Sequence, residues 1–108
     1  ATTEIYTLSL HDALPIYLER FGDVLRENWA CQRALDPSIS NATIDGLFDV
    51  ATKHGAIGGK ALGAGGGGCL LFYSRPDEEH VLRSALEACG AHIIDFNFDW
   101  QGLLTWQA

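Results

Sequence analysis

The residues Gly63, Ala64, Gly65, Gly66, Gly67 and Gly68 form the stretch of this chain whose composition most suggests ligand chemistry, and Lys60 stands just upstream of them. Glycine has no Cβ and tolerates positive φ, so consecutive backbone N–H groups can converge on an anion, or a second loop can approach closely. The run satisfies the letters of the dinucleotide fingerprint GxGxxG. That fingerprint works only where a helix opens directly after the glycines, because the helix N-terminus receives the pyrophosphate. Here Cys69-Leu70-Leu71-Phe72-Tyr73 follows, and an unbroken apolar run of this length reads as a strand. The phosphate loop of the GxxxxGK[ST] type fails as well, since its lysine follows the glycines and Lys60 precedes them. Two readings remain: a flexible hairpin linker with no ligand, and a bare-backbone loop that receives a phosphorylated ligand.

Other polar residues carry weaker signals. Lys60 can aim its charge at a substrate phosphate or stand as a solvated lysine near a strand end. Arg33, Ser38, Ser40 and Asn41 can line a sugar-phosphate pocket, although helix capping and loop hydrogen bonding are the plainer roles for the last three. Asp45 and Asp49 share one helix side at i, i+4, but two carboxylates are too few for an all-protein metal site, so no metal site is expected. His54, His80 and His92 lack ligand spacing. The three cysteines, Cys31, Cys69 and Cys89, form no CxxC pair, which argues against structural zinc and for reduced thiols in the cytoplasm; each is expected to act as a small buried hydrophobe. Trp29, Phe96, Phe98 and Trp100 are expected in the core.

The elements that must position the glycine run follow from periodicity. Residues 17–35 place Leu18, Phe21, Val24, Leu25, Asn28, Trp29 and Gln32 at helical spacing, and Asp36-Pro37 ends that helix. Ser40 or Asn41 can cap a second helix with Ile44, Leu47, Phe48 and Ala51 on its apolar face, closed by His54-Gly55. Residues 57–62 and 69–73 read as strands on either side of the glycines. Pro76 reads as a helix start, with Asp77, Glu78 and Glu79 in the first turn. Gly90 ends that helix. Residues 94–100 alternate as a half-buried strand, and Gln101-Gly102 turns into a last strand over residues 103–106. Helices and strands mixed in this order predict an α+β domain with helices packed on an antiparallel sheet.

The chain has 108 residues, 14 acidic and 7 basic, for a charge of −7 with neutral histidines. That length allows one domain. An acidic chain is a poor fit to nucleic acid or an anionic membrane as main partner, and no apolar run approaches the roughly 18 residues a membrane helix needs. The opening sixteen residues, ATTEIYTLSLHDALPI, lack both helical periodicity and the basic start of a secretory signal. They match, residue for residue, the conceptual translation of a common sequencing-library adapter. On that reading residues 1–16 are a non-native tail, His11 and Asp12 have no function, and a strand or helix formed there packs few side chains. Leaving out Glu4 and Asp12 reduces the acidic count to 12 and the charge to −5.

The strings GAIGGKALGAGGGGCLLFY and ENWACQRALDPSISNATIDGLFDVA together resemble the C-terminal domain of the GHMP small-molecule kinases. Within that family they are most similar to the bacterial D-glycero-D-manno-heptose 7-phosphate kinases, which carry a like ENW…KR…SISN…ID stretch. The resemblance covers about residues 17 to 100 and implies a ferredoxin-like α+β domain. Gly63 to Gly68 would be the family's third motif, facing the active-site cleft and supporting the phosphate-binding loop of an N-terminal domain. The Gly-Ser-Ser phosphate loop, the acidic base and the Mg²⁺-holding residues of the family have no counterpart in residues 17–108, so no catalytic residue is expected here. Arg33 follows Gln32 where that branch often has Lys-Arg, and position 69 is Cys where an aromatic is common.

The expectation is therefore the C-terminal fragment of a larger kinase, inactive alone. Its parent would use ATP and Mg²⁺ to phosphorylate a sugar phosphate, at the anomeric hydroxyl of heptose 7-phosphate. Partners would be the N-terminal kinase domain and the sugar phosphate, with neither nucleic acid nor membrane, and the fragment would bind no cofactor tightly. A rival from another class is a non-catalytic ferredoxin-like regulatory or small-ligand module.

Overall fold

The computed structural model describes residues 4–8, 15–63, 65–97 and 101–107. Four strands and three helices follow the order β1 (Glu4–Leu8), α1 (Pro15–Leu35), α2 (Ala42–Lys53), β2 (Ala56–Leu62), β3 (Cys69–Ser74), α3 (Glu79–Ala88) and β4 (His92–Ile93), with a 3-10 turn at Pro37–Ile39 between the first two helices. The sheet order is β2-β3-β1-β4. The α+β class stands. Among the described residues, β2 and β3 pair antiparallel and β1 runs parallel to both its neighbours, so the sheet is mixed.

Each helix boundary has a local cause. Pro37 cannot continue α1, and Asp36 instead opens the 3-10 turn by accepting a hydrogen bond from the Ser38 backbone N–H. Asn41 caps α2, its side chain accepting from the Ile44 N–H. At the end of α3, Gly90 adopts φ +86° and donates to Glu87 O, while Ala91 donates to Leu86 O, the paired bonds of a Schellman ending. The start of α3 departs from expectation. Asp77 adopts φ +65°, which makes Pro76-Asp77 a turn, and the helix begins at Glu79 with only that carboxylate in its first turn.

Both faces of β3 are buried, as its uniform apolarity requires. Leu70 and Phe72 join the main core with Trp29, Ile44, Leu47 and Leu82. Tyr73 meets Leu25 in a second cluster, against which Ile57 and Leu71 pack. Helix α1 serves both clusters, through Leu25 and Trp29. Its buried stripe is narrower than the periodicity suggested, leaving Phe21 and Val24 exposed. Phe21 still meets Tyr73 edge to face at 4.9 Å.

Three further expectations need correction. The strand expected over residues 94–100 does not form over 94–97, β4 lying just before it at His92–Ile93; residues 98–100 lie outside the described ones, and Phe96 is exposed. Arg83 on α3 donates to Asp95 at 2.7 Å, which holds the chain beside the helix at the point where the strand would have continued. No strand forms over residues 103–106, and Leu103, Leu104 and Trp106 are exposed. Cys31 and Cys89 are exposed rather than buried, with Cys69 intermediate and none of the three in a disulfide. The described side chain of the opening segment is that of Ile5. Ile5 is completely buried in the main core, with β1 lying between β3 and β4.

Candidate functional site

The glycine run joins β2 to β3 where Leu62 pairs with Cys69. Six residues exceed the usual hairpin connection of about two to five, so the loop needs support from elsewhere. Three hydrogen bonds supply it. Gln32 Nε2 donates to Gly63 O at 2.9 Å, Gly66 N donates to Ile39 O at 2.6 Å, and Asn41 Nδ2 donates to Gly66 O at 3.4 Å. The end of α1 and the turn before α2 thus clamp the loop.

Glycine is required along the run for two separate reasons. Gly63, Gly65, Gly66, Gly67 and Gly68 all have positive φ, a region costly for L side chains. Gly65 and Gly66 also approach the turn too closely for a Cβ. An added carbon at Gly65 would lie 2.7 Å from Ile39 Cγ2, and one at Gly66 would lie 3.0 Å from Ser38 O. Gly67 and Gly68 have nothing within 4 Å of that position. The inner part of the loop is packed against its own chain and the outer part is open. Ala64 lies outside the described residues.

The turn that receives the loop is itself fixed. The Asp36 carboxylate accepts from both the Ser38 N–H at 2.8 Å and the Ser38 hydroxyl at 2.6 Å. The hydroxyl bond first, then the backbone bond, hold its pKa below the usual 3.8, since each favours the charged form. Asn41 spans both elements, its Oδ1 accepting from Ile44 N and its Nδ2 donating to the loop. Ser40 turns toward the helix, where its hydroxyl donates to Asp45 Oδ1 at 2.6 Å.

The sequence candidates therefore divide. Gly65, Gly66 and Asn41 come together with Ser38, and Ser40 is next to them with its hydroxyl engaged by Asp45. Lys60 sits within β2 opposite Leu71, three positions before the loop. Arg33 lies 6.0 Å from the Trp29 ring centroid and lines a cavity between the helices and the sheet. Gln32 is the loop support that periodicity hid, because it falls on the apolar stripe of α1. Gly22 is another such residue: a Cβ there would meet Ile57 Cγ2 at 2.2 Å, and one on Gly58 would meet Gly22 O at 2.5 Å. A glycine inside a helical pattern costs about 1 kcal/mol against alanine, and that penalty was the available signal for the close approach.

The domain thus clamps a glycine hairpin against the end of α1 and the turn before α2, and the positions of Gly67 and Gly68 stay open. The family described as GHMP kinases C terminal matches residues 16–92, and the chain belongs to that family. The D-glycero-alpha-D-manno-heptose 7-phosphate kinase of Campylobacter jejuni is 29% identical over 86 residues, covering 80% of this chain and 25% of its own length. The bifunctional fucokinase/GDP-fucose pyrophosphorylase of Arabidopsis thaliana is 37% identical over 71 residues, covering 65% of this chain and 7% of its own. Mevalonate kinase of Bos taurus is 41% identical over 56 residues, 48% of this chain and 14% of its own. The chain thus spans a quarter or less of each of these relatives.

Proposed function

We propose that this chain acts as the C-terminal domain of an ATP-dependent sugar-phosphate kinase whose acceptor is the anomeric hydroxyl of heptose 7-phosphate. The observation that carries the reading is the divided glycine loop: Gly65 and Gly66 are locked on the Ser38–Ile39 backbone, while the positions of Gly67 and Gly68 are open. A loop of this kind lets a phosphate group or a phosphate-binding loop come within contact of the backbone without meeting a side chain. The similarity to a heptose 7-phosphate kinase over 80% of the chain supports the choice of sugar.

When bound, ATP supplies the γ-phosphoryl group, and catalysis of such transfers is largely positioning and electrostatic stabilisation. Mg²⁺ and the base would be held by an N-terminal kinase domain. The residues of this chain position. Gln32, Ile39 and Asn41 set the height of the loop, and Lys60 and Arg33 offer positive charge to the substrate phosphate. The three thiols outside any disulfide suit a cytoplasmic enzyme, and no described helix is long and apolar enough to cross a membrane.

The test starts from the coding sequence upstream of Tyr17 in the source DNA, where a Gly-Ser-Ser phosphate loop is expected. The encoded enzyme should release ADP with heptose 7-phosphate in preference to fucose or mevalonate. Gly67→Val should then lower kcat/KM at least about tenfold. Gly90→Val is the control, at φ +86° against +153° for Gly67 and likewise with nothing within 4 Å, at the far end of α3. Equal kinetic losses in the two variants, or none in Gly67→Val, would leave the loop a spacer and sink the reading.

A further inference from the structure

We infer that the cavity enclosed by α1, α2 and the β2–β3 hairpin is a binding site for a small anion carrying an apolar body. Its volume is about 370 Å³, within the range of small-ligand pockets. Trp29, Phe48 and Phe72 supply aromatic walls, and Gly58 and Gly59 of β2 also line it. The aromatic wall is rigid, because Trp29 stacks on Phe48 at 4.9 Å and Phe48 meets Phe72 edge on at 4.8 Å.

Charge distinguishes this cavity from an ordinary packing void. Arg26, Arg33 and Arg75 all line it, three of the seven basic residues of an acidic chain, and no carboxylate does. Arg26 and Arg33 are seven residues apart on one face of α1, with Trp29 between them. Arg75 follows β3, so arginines reach the lining from two separate elements. Arg26 is already engaged, donating to Asp23 and to the Ile57 carbonyl. Neither Arg33 nor Arg75 pairs with a carboxylate among the described residues. Guanidinium groups suit phosphate, sulfonate or carboxylate oxygens, and a partly apolar surround strengthens that attraction. An anion with an aromatic or aliphatic body would satisfy both parts of the lining. The site uses no residue of the glycine loop, and it shares Arg33 with the substrate-phosphate role proposed above.

The test is calorimetric titration of the 108-residue chain with 1-naphthyl phosphate, with 1-naphthol and inorganic phosphate as the two halves of the ligand. Saturable one-to-one binding of the whole, at least tenfold tighter than either half, is expected. Replacing Arg33 and Arg75 together with Gln should weaken it at least tenfold while leaving the weak binding of naphthol unchanged. Ala30→Trp, which places bulk at the lining without altering charge, should abolish both; the unfolding midpoint of each variant shows that it still folds. Binding that survives Ala30→Trp, binding indifferent to the two arginines, or no saturable binding at all would overturn the inference.

Discussion

Strands β2 and β3 pair at six positions and bury residues on both faces, whereas β1 and β4 meet at only two. The hairpin half is joined by a short connection and roofed by two helices whose caps are written into neighbouring residues. The β1–β4 half depends on parallel pairings between segments far apart in sequence, Glu4 with Cys69 and Glu4 with His92 among them. Local pairing repays its chain entropy early, and distant parallel pairing repays it late. In this domain the half that carries the glycine loop is the half that local sequence specifies.

The largest effect should come from the centre of the hairpin. Phe72 is buried, packs on Phe48, and lies where a Cβ on Gly59 would be 2.5 Å from its ring. Phe72→Ala should cost about 3–5 kcal/mol of unfolding free energy, read by urea denaturation, and a cost near 1 would mean the hairpin does not anchor the core.

Ile5→Ala asks the same question of the other half. Its complete burial predicts a loss of about 2–4 kcal/mol. A loss below about 0.5 kcal/mol, within the range of surface substitutions, would show that the adapter-like segment lies outside the cooperative fold and that its place beside β3 is filled without consequence.

Asn41→Ala removes one side chain serving both α2 and the loop. The helix cap alone predicts a loss of about 1 kcal/mol. Ser restores the cap without reaching the loop, so Asn41→Ser should recover stability while leaving the amide of Gly66 exchanging faster with solvent than in the parent chain. Unchanged exchange in both variants would remove Asn41 from the loop clamp.

The smallest effect concerns Asp36. Its folded pKa lies below the ordinary 3.8, from the Ser38 hydroxyl and then the Ser38 backbone N–H. A lowered pKa contributes stability that is present above the unfolded value and lost as pH falls through the folded one. Carboxyl chemical shifts followed from pH 6 downward should place the Asp36 midpoint below 3.8, and Ser38→Ala should raise it. A midpoint unmoved by that change would assign the shift to another cause.

Much of the hairpin half was legible in sequence because its signals are local. Asp36-Pro37 stops a helix, Asn41 starts one, and five consecutive apolar residues at Cys69 mark a doubly buried strand. The glycine loop was located but not its clamp, since Gln32 reads as part of an amphipathic stripe and shows its role only when residue 63 is beside it. The tail was misread because the alternation of Ile94, Phe96 and Phe98 promises a strand only if a neighbour exists to pair with it. Asp95 instead meets Arg83, a long-range contact that no periodicity encodes. Burial of Ile5 had no signal at all, because its segment lacks a pattern of its own.

The register break between Ala56 and Gly58 leaves Ile57 without a cross-strand partner, and Arg26 from α1 takes its carbonyl. Strand β2 is the outer strand on that side, and a long regular outer strand invites pairing with another molecule. Here the irregularity bends the border and α1 covers it, with Gly22 pressed against Gly58. The opposite border, β4, is two residues long. One border has the Ile57 carbonyl already engaged and the other offers only a two-residue described strand, so the glycine contact that seats the helix also helps to shield the sheet from pairing edge to edge with a second chain.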